Sequence, residues 1–149
     1  MSLPLKLYLA GPEVFLPDAR AVLDAKAALT RAYGFEPICP GDLTIPPAPT
    51  KHQFGLNISE IDEGFMNRAD GVIANLTPFR GIAADPGTVF ELGYMCGAGK
   101  ICLRPRRRSR EALHRPHRLR AMLEGAGAEG DDAGTLITVC RLIFYADRD

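Results

Sequence analysis

Apolar residues along this chain fall into two alternating patterns. Leu5-Lys6-Leu7-Tyr8-Leu9-Ala10 is nearly continuous and stops at Gly11-Pro12, as a buried strand cut by a turn would be. Between Pro17 and Tyr33, Val22, Ala25, Leu29 and Ala32 recur at helical spacing, with Arg20, Asp24 and Arg31 on the opposite side. The spacing predicts an amphipathic helix, and Gly34 stands where a C′ residue would end it. Phe35 to Cys39 reads as a second strand, followed by a proline-rich loop from Pro40 to about Phe54 that is long for a compact domain. Ile58, Ile61, Phe65 and Ala69 mark the stripe of a second helix, and Gly71 to Leu76 is a third strand apolar enough to be buried on both faces. After the loop Thr77–Pro86, a third helix is expected from about Thr88 to Ala98, closed by Gly99-Lys100. Strands alternating with helices imply a parallel sheet covered on both faces, with ligands at its C-terminal edge. The loops after Ala10, Cys39 and Leu76 should therefore line one crevice.

At 149 residues the chain fits one domain with a full core, and its 46% hydrophobic and 24% charged content is ordinary for a globular protein. Zero formal charge gives no reason to expect nucleic acid or membrane as a partner, and no apolar run reaches the length of a membrane helix. Cys39, Cys96, Cys102 and Cys140 lack metal or redox spacing, which suits a reduced, cytoplasmic protein. The balance of charge hides a shift. Residues 1–100 hold 8 basic and 11 acidic groups, including all the lysines; residues 101–149 hold 10 and 7, and every basic one is arginine. Five of these arginines lie between Arg104 and Arg110, a run that usually means a solvated surface. His114 and His117 are separated by Arg115-Pro116, which breaks the helical presentation a metal pair needs, so no metal is expected.

The loops at the sheet edge collect the reactive side chains. Thr88-x-x-Glu91 fits a capping box, in which the glutamate merely satisfies a backbone N–H. Its position also allows chemistry. A carboxylate in the first turn of a helix faces the positive end of the dipole and stays ionised. Gly87 would let a substrate approach the backbone, and Asp85 adds a second carboxyl. Two carboxyls flanking one site suit glycosidic chemistry, one attacking the anomeric carbon and one managing protons. Each other candidate has a plain alternative: Tyr8 as a core aromatic, Asp62 as a solvated helix residue, Arg80 as a clamp on its own loop. Asp70 reads as the helix-to-strand turn.

Tyr8-Leu9-Ala10-Gly11-Pro12, Asn67-Arg68-Ala69-Asp70, Ala74-Asn75-Leu76-Thr77-Pro78-Phe79-Arg80-Gly81 and Asp85-x-Gly87-Thr88-x-x-Glu91-Leu92-Gly93 resemble, in order and spacing, the nucleoside 2-deoxyribosyltransferase family. The resemblance implies a flavodoxin-like α/β domain, a homo-oligomer, and transfer of deoxyribose from a deoxyribonucleoside to a free base by double displacement without any cofactor. Glu91 matches the family's nucleophile and Tyr8 the tyrosine that orients it. Asp85 matches an aspartate tied to base binding and leaving-group protonation, Asp62 a second base-contacting aspartate, and Phe15 an aromatic that stacks on the base. Gly11, Arg80 and Gly87 belong to the same substrate-binding loops.

The match runs from Leu5 to about Lys100. Beyond it the family pattern continues with a strand, an acidic and aromatic segment, and an asparagine that completes a neighbouring subunit's site, whereas this chain has no asparagine after Asn75. Residues 103–149 are expected to diverge from the family, as a shifted reading frame would make them, with Arg104–Arg110 and Glu124–Gly134 exposed or mobile and Thr135–Tyr145 forming a last strand. Two alternatives stay open. A related hydrolase of deoxynucleoside 5′-phosphates would need cations near Gly11-Pro12-Glu13-Val14-Phe15, a loop that offers an acid and apolar side chains. A nucleoside-binding protein with little or no turnover would share the site but release no base.

Overall fold

The computed structural model describes residues 3–103, and these form a parallel four-stranded sheet in the order β2-β1-β3-β4. The strands are β1 (Lys6–Ala10), β2 (Glu36–Ile38), β3 (Gly71–Ala74) and β4 (Ile101–Leu103), and the helices joining them are α1 (Ala19–Ala32), α2 (Lys51–Arg68) and α3 (Pro86–Gly97). A 3₁₀ turn, Pro12–Phe15, follows β1. Alternation along β1 sorts the core into two layers. Leu7 and Leu9 pack with Ala27 of α1, Phe35, Cys39, Ile73 and Leu103; Tyr8 and Ala10 pack with Phe65, Met66 and Ala69 at the end of α2, Val72, Ala74, and Met95 of α3. The α/β class and the helices on both faces are thus as expected, and the order agrees with a flavodoxin-like sheet, in which the order of winding reverses between β1 and β3. The arginine run, His114 and His117, Glu124–Gly134 and the expected strand at Thr135–Tyr145 lie outside the described residues.

Several boundaries and one helix face depart from the periodicity. The residues of α1 that are buried are Leu23, Lys26, Ala27 and Thr30, while Val22 and Leu29 are half-buried and Ala25 and Ala32 are exposed. Hydrophobicity misplaced the stripe because two of its four members are polar. Both are satisfied: Lys26 pairs with Glu13, and the Thr30 hydroxyl donates to the Lys26 carbonyl at 2.8 Å. Gly34, with φ of +83°, does end the helix, its N–H reaching the Arg31 carbonyl at 2.9 Å.

Helix α2 begins at Lys51, where the proline-rich loop was expected to continue to about Phe54. Thr50 is the reason, since its hydroxyl accepts from the Gln53 N–H at 3.1 Å and caps the helix. The far end of α2 is held by Lys100, whose ammonium donates to the carbonyls of Met66, Asn67 and Ala69 at 2.6–2.7 Å. A cation there opposes the negative end of the helix dipole and satisfies terminal carbonyls that lack partners within the helix. Asp70 makes the turn into β3, accepting from the Lys6 N–H at 2.7 Å. Gly71 follows because any Cβ would lie 2.9 Å from Ile101 on the neighbouring strand.

Candidate active site

At the centre of the site the Tyr8 hydroxyl donates to Oε1 of Glu91 at 2.6 Å. Tyr8 sits mid-strand on β1 with no exposed surface, its ring stacked on Phe65 with centroids 6.5 Å apart. A buried phenol needs a polar partner, and α3 crosses the same face of the sheet to supply one. Burial, then the charge of Glu91 and the bond to it, raise the tyrosine far above its ordinary range, so it remains a donor at every physiological pH. For Glu91 the balance differs. Burial pushes it up, the tyrosine bond pulls it down, and the charges of Asp62 and Asp85 push it up again, leaving it at about 7.

That result corrects two expectations. Glu91 does not complete a capping box, because Thr88 is not the N-cap of α3. Asp85 is: its Oδ2 accepts from the Thr88 N–H at 2.9 Å and from the Thr88 hydroxyl at 3.0 Å, with Pro86 as the first helical residue. Aspartate followed by proline is an ordinary start of a helix, and Asp85-Pro86 offers one. Glu91 therefore lies six residues in, on the second turn, where the dipole has faded and burial dominates. Nor is the carboxylate kept ionised by its helix; its proton is held up to about neutral pH.

Asp62 is half-buried on α2 and raised by its own burial, and its charge acts on both Tyr8 and Glu91. It therefore lies near enough to both to act on them by charge. Asp85 also acts on Glu91 by charge, although the helix cap commits its Oδ2 and leaves Oδ1 for other partners. The two glycines also make room within the chain. A Cβ on Gly87 would press to 3.1 Å from Asp85 Oδ2, and one on Gly11 would fall 1.9 Å from Glu13 Oε2. Each gives room to a carboxylate of this chain.

A second group stands where the first and third loops meet. Phe15 and Phe79 are stacked, centroids 5.6 Å apart and planes at 21°, and the Arg80 guanidinium lies 5.3 and 4.9 Å from the two ring centres. Arg80 has φ of +54°, the left-handed region, within a narrow excursion pinned by the Pro78–Ala84 bridge and by the Phe79 N–H on the Ala83 carbonyl at 3.0 Å. The Gly11–Phe15 loop, which by sequence contains no cation, thus receives one from the loop after β3. Phe79, Glu13, Lys26 and Asn75 were not singled out by sequence reasoning. Asn75-x-Thr77 carried a signal, an Asx turn in which Asn75 Oδ1 accepts from the Thr77 N–H at 3.1 Å and from its hydroxyl at 2.7 Å. Among the described residues, no group of three or more His, Cys, Asp or Glu side chains is placed to hold a metal ion.

Comparison with known proteins decides the family. The family model for nucleoside 2-deoxyribosyltransferase matches residues 7–139. The chain belongs to that family. The match extends well past Lys100, into the segment expected to diverge from the family. An uncharacterized protein of Schizosaccharomyces pombe is 37% identical over 97 residues, 63% of this chain and 46% of that one. Among solved structures, a 2-desoxiribosyltransferase from Leishmania mexicana is 35% identical, with a TM-score of 0.58 over 68% of this chain and 63% of that chain. A 2-deoxyribosyltransferase from Bacillus psychrosaccharolyticus is 21% identical, with a TM-score of 0.54 over 66% of this chain and 70% of that one. A conserved protein from Enterococcus faecalis V583 is 17% identical, with a TM-score of 0.53 over 91% and 87%. The last two show likeness of fold alone. This deoxyribosyltransferase-family chain spans about half the length of the curated relative it matches. No helix among its described residues is long and apolar enough to cross a membrane.

Proposed function

We propose that this chain cleaves the N-glycosidic bond of 2′-deoxyribonucleosides and passes the deoxyribosyl group to an acceptor base through an ester on Glu91. The observation that carries this reading is the buried Tyr8–Glu91 hydrogen bond, set among carboxyls from two other positions. With Oε1 held by Tyr8, Oε2 attacks C1′ of the sugar. The C1′–N bond breaks, its electron pair leaves with the base, and a neighbouring carboxylic acid supplies the proton the base needs. Asp62, raised by burial, and Asp85, through Oδ1, are the two groups available to bind the base and hand over that proton. An acceptor base then displaces Glu91 from C1′ and regenerates a nucleoside, whereas water in its place yields free deoxyribose.

The raised carboxylate of Glu91 suits this work. Once ionised, a poorly solvated anion gains most from the positive charge that develops on the sugar as the base departs. Stabilisation is therefore greater in the transition state than in the resting site.

Incubation with deoxyinosine, with and without adenine, tests the proposal. Deoxyadenosine and hypoxanthine are the expected products with adenine present, and intact-protein mass spectrometry should catch a deoxyribosyl adduct that is absent from Glu91→Gln. Binding of deoxyinosine without any base release would leave a nucleoside-binding protein. One observation favours a second reading, hydrolysis of deoxynucleoside 5′-phosphates: Arg80 places a guanidinium beside Phe15, at the loop such a phosphate would meet. Faster cleavage of deoxyinosine monophosphate than of deoxyinosine, reversed by Arg80→Ala, would select it.

A further inference from the structure

A second buried polar cluster lies beside the site. Glu13 of the 3₁₀ turn and Lys26 of α1 form an ion pair, each about 7% exposed. Asn75, one residue beyond β3, donates from Nδ2 to the same Glu13 oxygen at 2.6 Å while its Oδ1 holds Thr77. The cluster thus joins α1, the loop after β1 and the loop after β3. Gly11 is shaped to admit it, since Glu13 Oε2 occupies the place of the missing Cβ.

Packing alone does not call for charges there. A buried ion pair loses hydration that its own attraction scarcely recovers, and apolar residues of similar volume often hold a fold as well or better. What the pair adds is position. Two residues beyond Glu13 comes Phe15, and two beyond Thr77 comes Phe79, so the polar tie and the aromatic stack join the same two loops at neighbouring points. Phe15 remains 52% exposed, with surface left for a planar ligand.

We infer that Glu13, Lys26 and Asn75 form a positioning strut for substrate binding, which fixes the Phe15–Phe79–Arg80 stack so that the base of a nucleoside meets a preset face. The inference rests on the proposed function for its ligand. None of the three residues touches the reacting atoms. Tyr8 and Glu91 belong to β1 and α3, so the strut should act on binding more than on the bond-breaking step.

The test compares wild type with Glu13→Gln/Lys26→Met and with Asn75→Ala. For each, KM and kcat for base release from deoxyinosine, hypoxanthine affinity by calorimetry, and urea unfolding are measured. The charge-free double variant should unfold at the same or higher urea concentration. Its KM and its Kd for hypoxanthine should rise about 10-fold, the scale of re-ordering two or three side chains at each binding event, with kcat changed by less than about 3-fold. Asn75→Ala, which leaves the ion pair in place, should show the same split and decides the matter if the double variant fails to fold. Unchanged KM and hypoxanthine affinity in Asn75→Ala, or a fall in kcat with KM constant, overturns the strut. A wild type that binds hypoxanthine but releases no base refutes the reaction alone, and the affinities still decide the strut. A wild type that does neither refutes both.

Discussion

Replacing Glu91 with glutamine should stabilise this protein, and by an amount that grows with pH. Burial and two neighbouring acids raise the Glu91 carboxyl from an ordinary 4.5 to about 7. Between those values the folded state holds a proton that the unfolded chain has already released. Stability therefore falls as pH rises through the window, and the loss is complete above the folded pKa. A gap of two to three units at 1.36 kcal/mol each gives a penalty of about 3 kcal/mol at pH 8 and about 1 kcal/mol at pH 5. Glutamine has the same shape, still accepts the Tyr8 hydroxyl and never ionises, so the variant should recover those amounts. Urea unfolding of both proteins at pH 5, 6, 7 and 8 measures the difference directly, with the other titrating groups common to the pair. A difference that stays flat from pH 5 to pH 8, or that favours wild type at pH 8, would refute the assignment of burial as the dominant influence on this carboxyl.

Catalysis should show a different dependence, because attack on C1′ needs the ionised form and departure of the base needs an acid: kcat/KM for deoxyinosine is expected to climb with pH as Glu91 ionises around 7 and to fall once the acid that protonates the base has lost its proton. Tyr8→Phe removes the one bond that favours the anion, so its pH–rate profile should move to higher pH, with activity at pH 7 reduced about 10- to 100-fold; an unmoved profile would deny Tyr8 that role. Asp85→Ala should lower stability by about 1 kcal/mol through loss of the α3 cap, whereas Asp85→Asn should keep the cap and lose activity. Equal activity of Asp85→Asn and wild type would confine Asp85 to capping. Lys100→Met strips three carbonyls of their donor and should cost about 1–3 kcal/mol in chemical unfolding, without requiring any change in the chemistry of the site.

The sheet was legible wherever local pattern and tertiary setting agree. β1 and β3 are buried on both faces, so their near-continuous apolar runs could hardly be misread, and Gly34 announced the end of α1. The face of α1 was not legible, because Lys26 and Thr30 are buried by partners distant in sequence or by a backbone bond that hydropathy does not register. The three-residue β4 offered too little pattern of its own to be recognised. At the site, motif spacing brought Tyr8, Glu91, Asp62 and Asp85 to notice, but not how they share the work. Thr88-x-x-Glu91 and Asp85-Pro86 compete for the same helix start, and only the structure shows that Asp85 wins and that Glu91 lies a turn further in. The Glu13–Asn75 bond spans 62 positions, beyond the reach of any local rule.

The grip of Lys100 on the end of α2 has a geometric consequence. It follows directly on the end of α3, so the C-termini of the two helices are fastened at one knot. Asp62 stands seven positions before the C-cap Ala69, and Glu91 seven before the C-cap Ala98. Along each helix that is about 10 Å, so both acids stand at a matching distance from the end that Lys100 fastens. One side chain thus serves as a shared anchor for the two helices that carry Asp62 and Glu91.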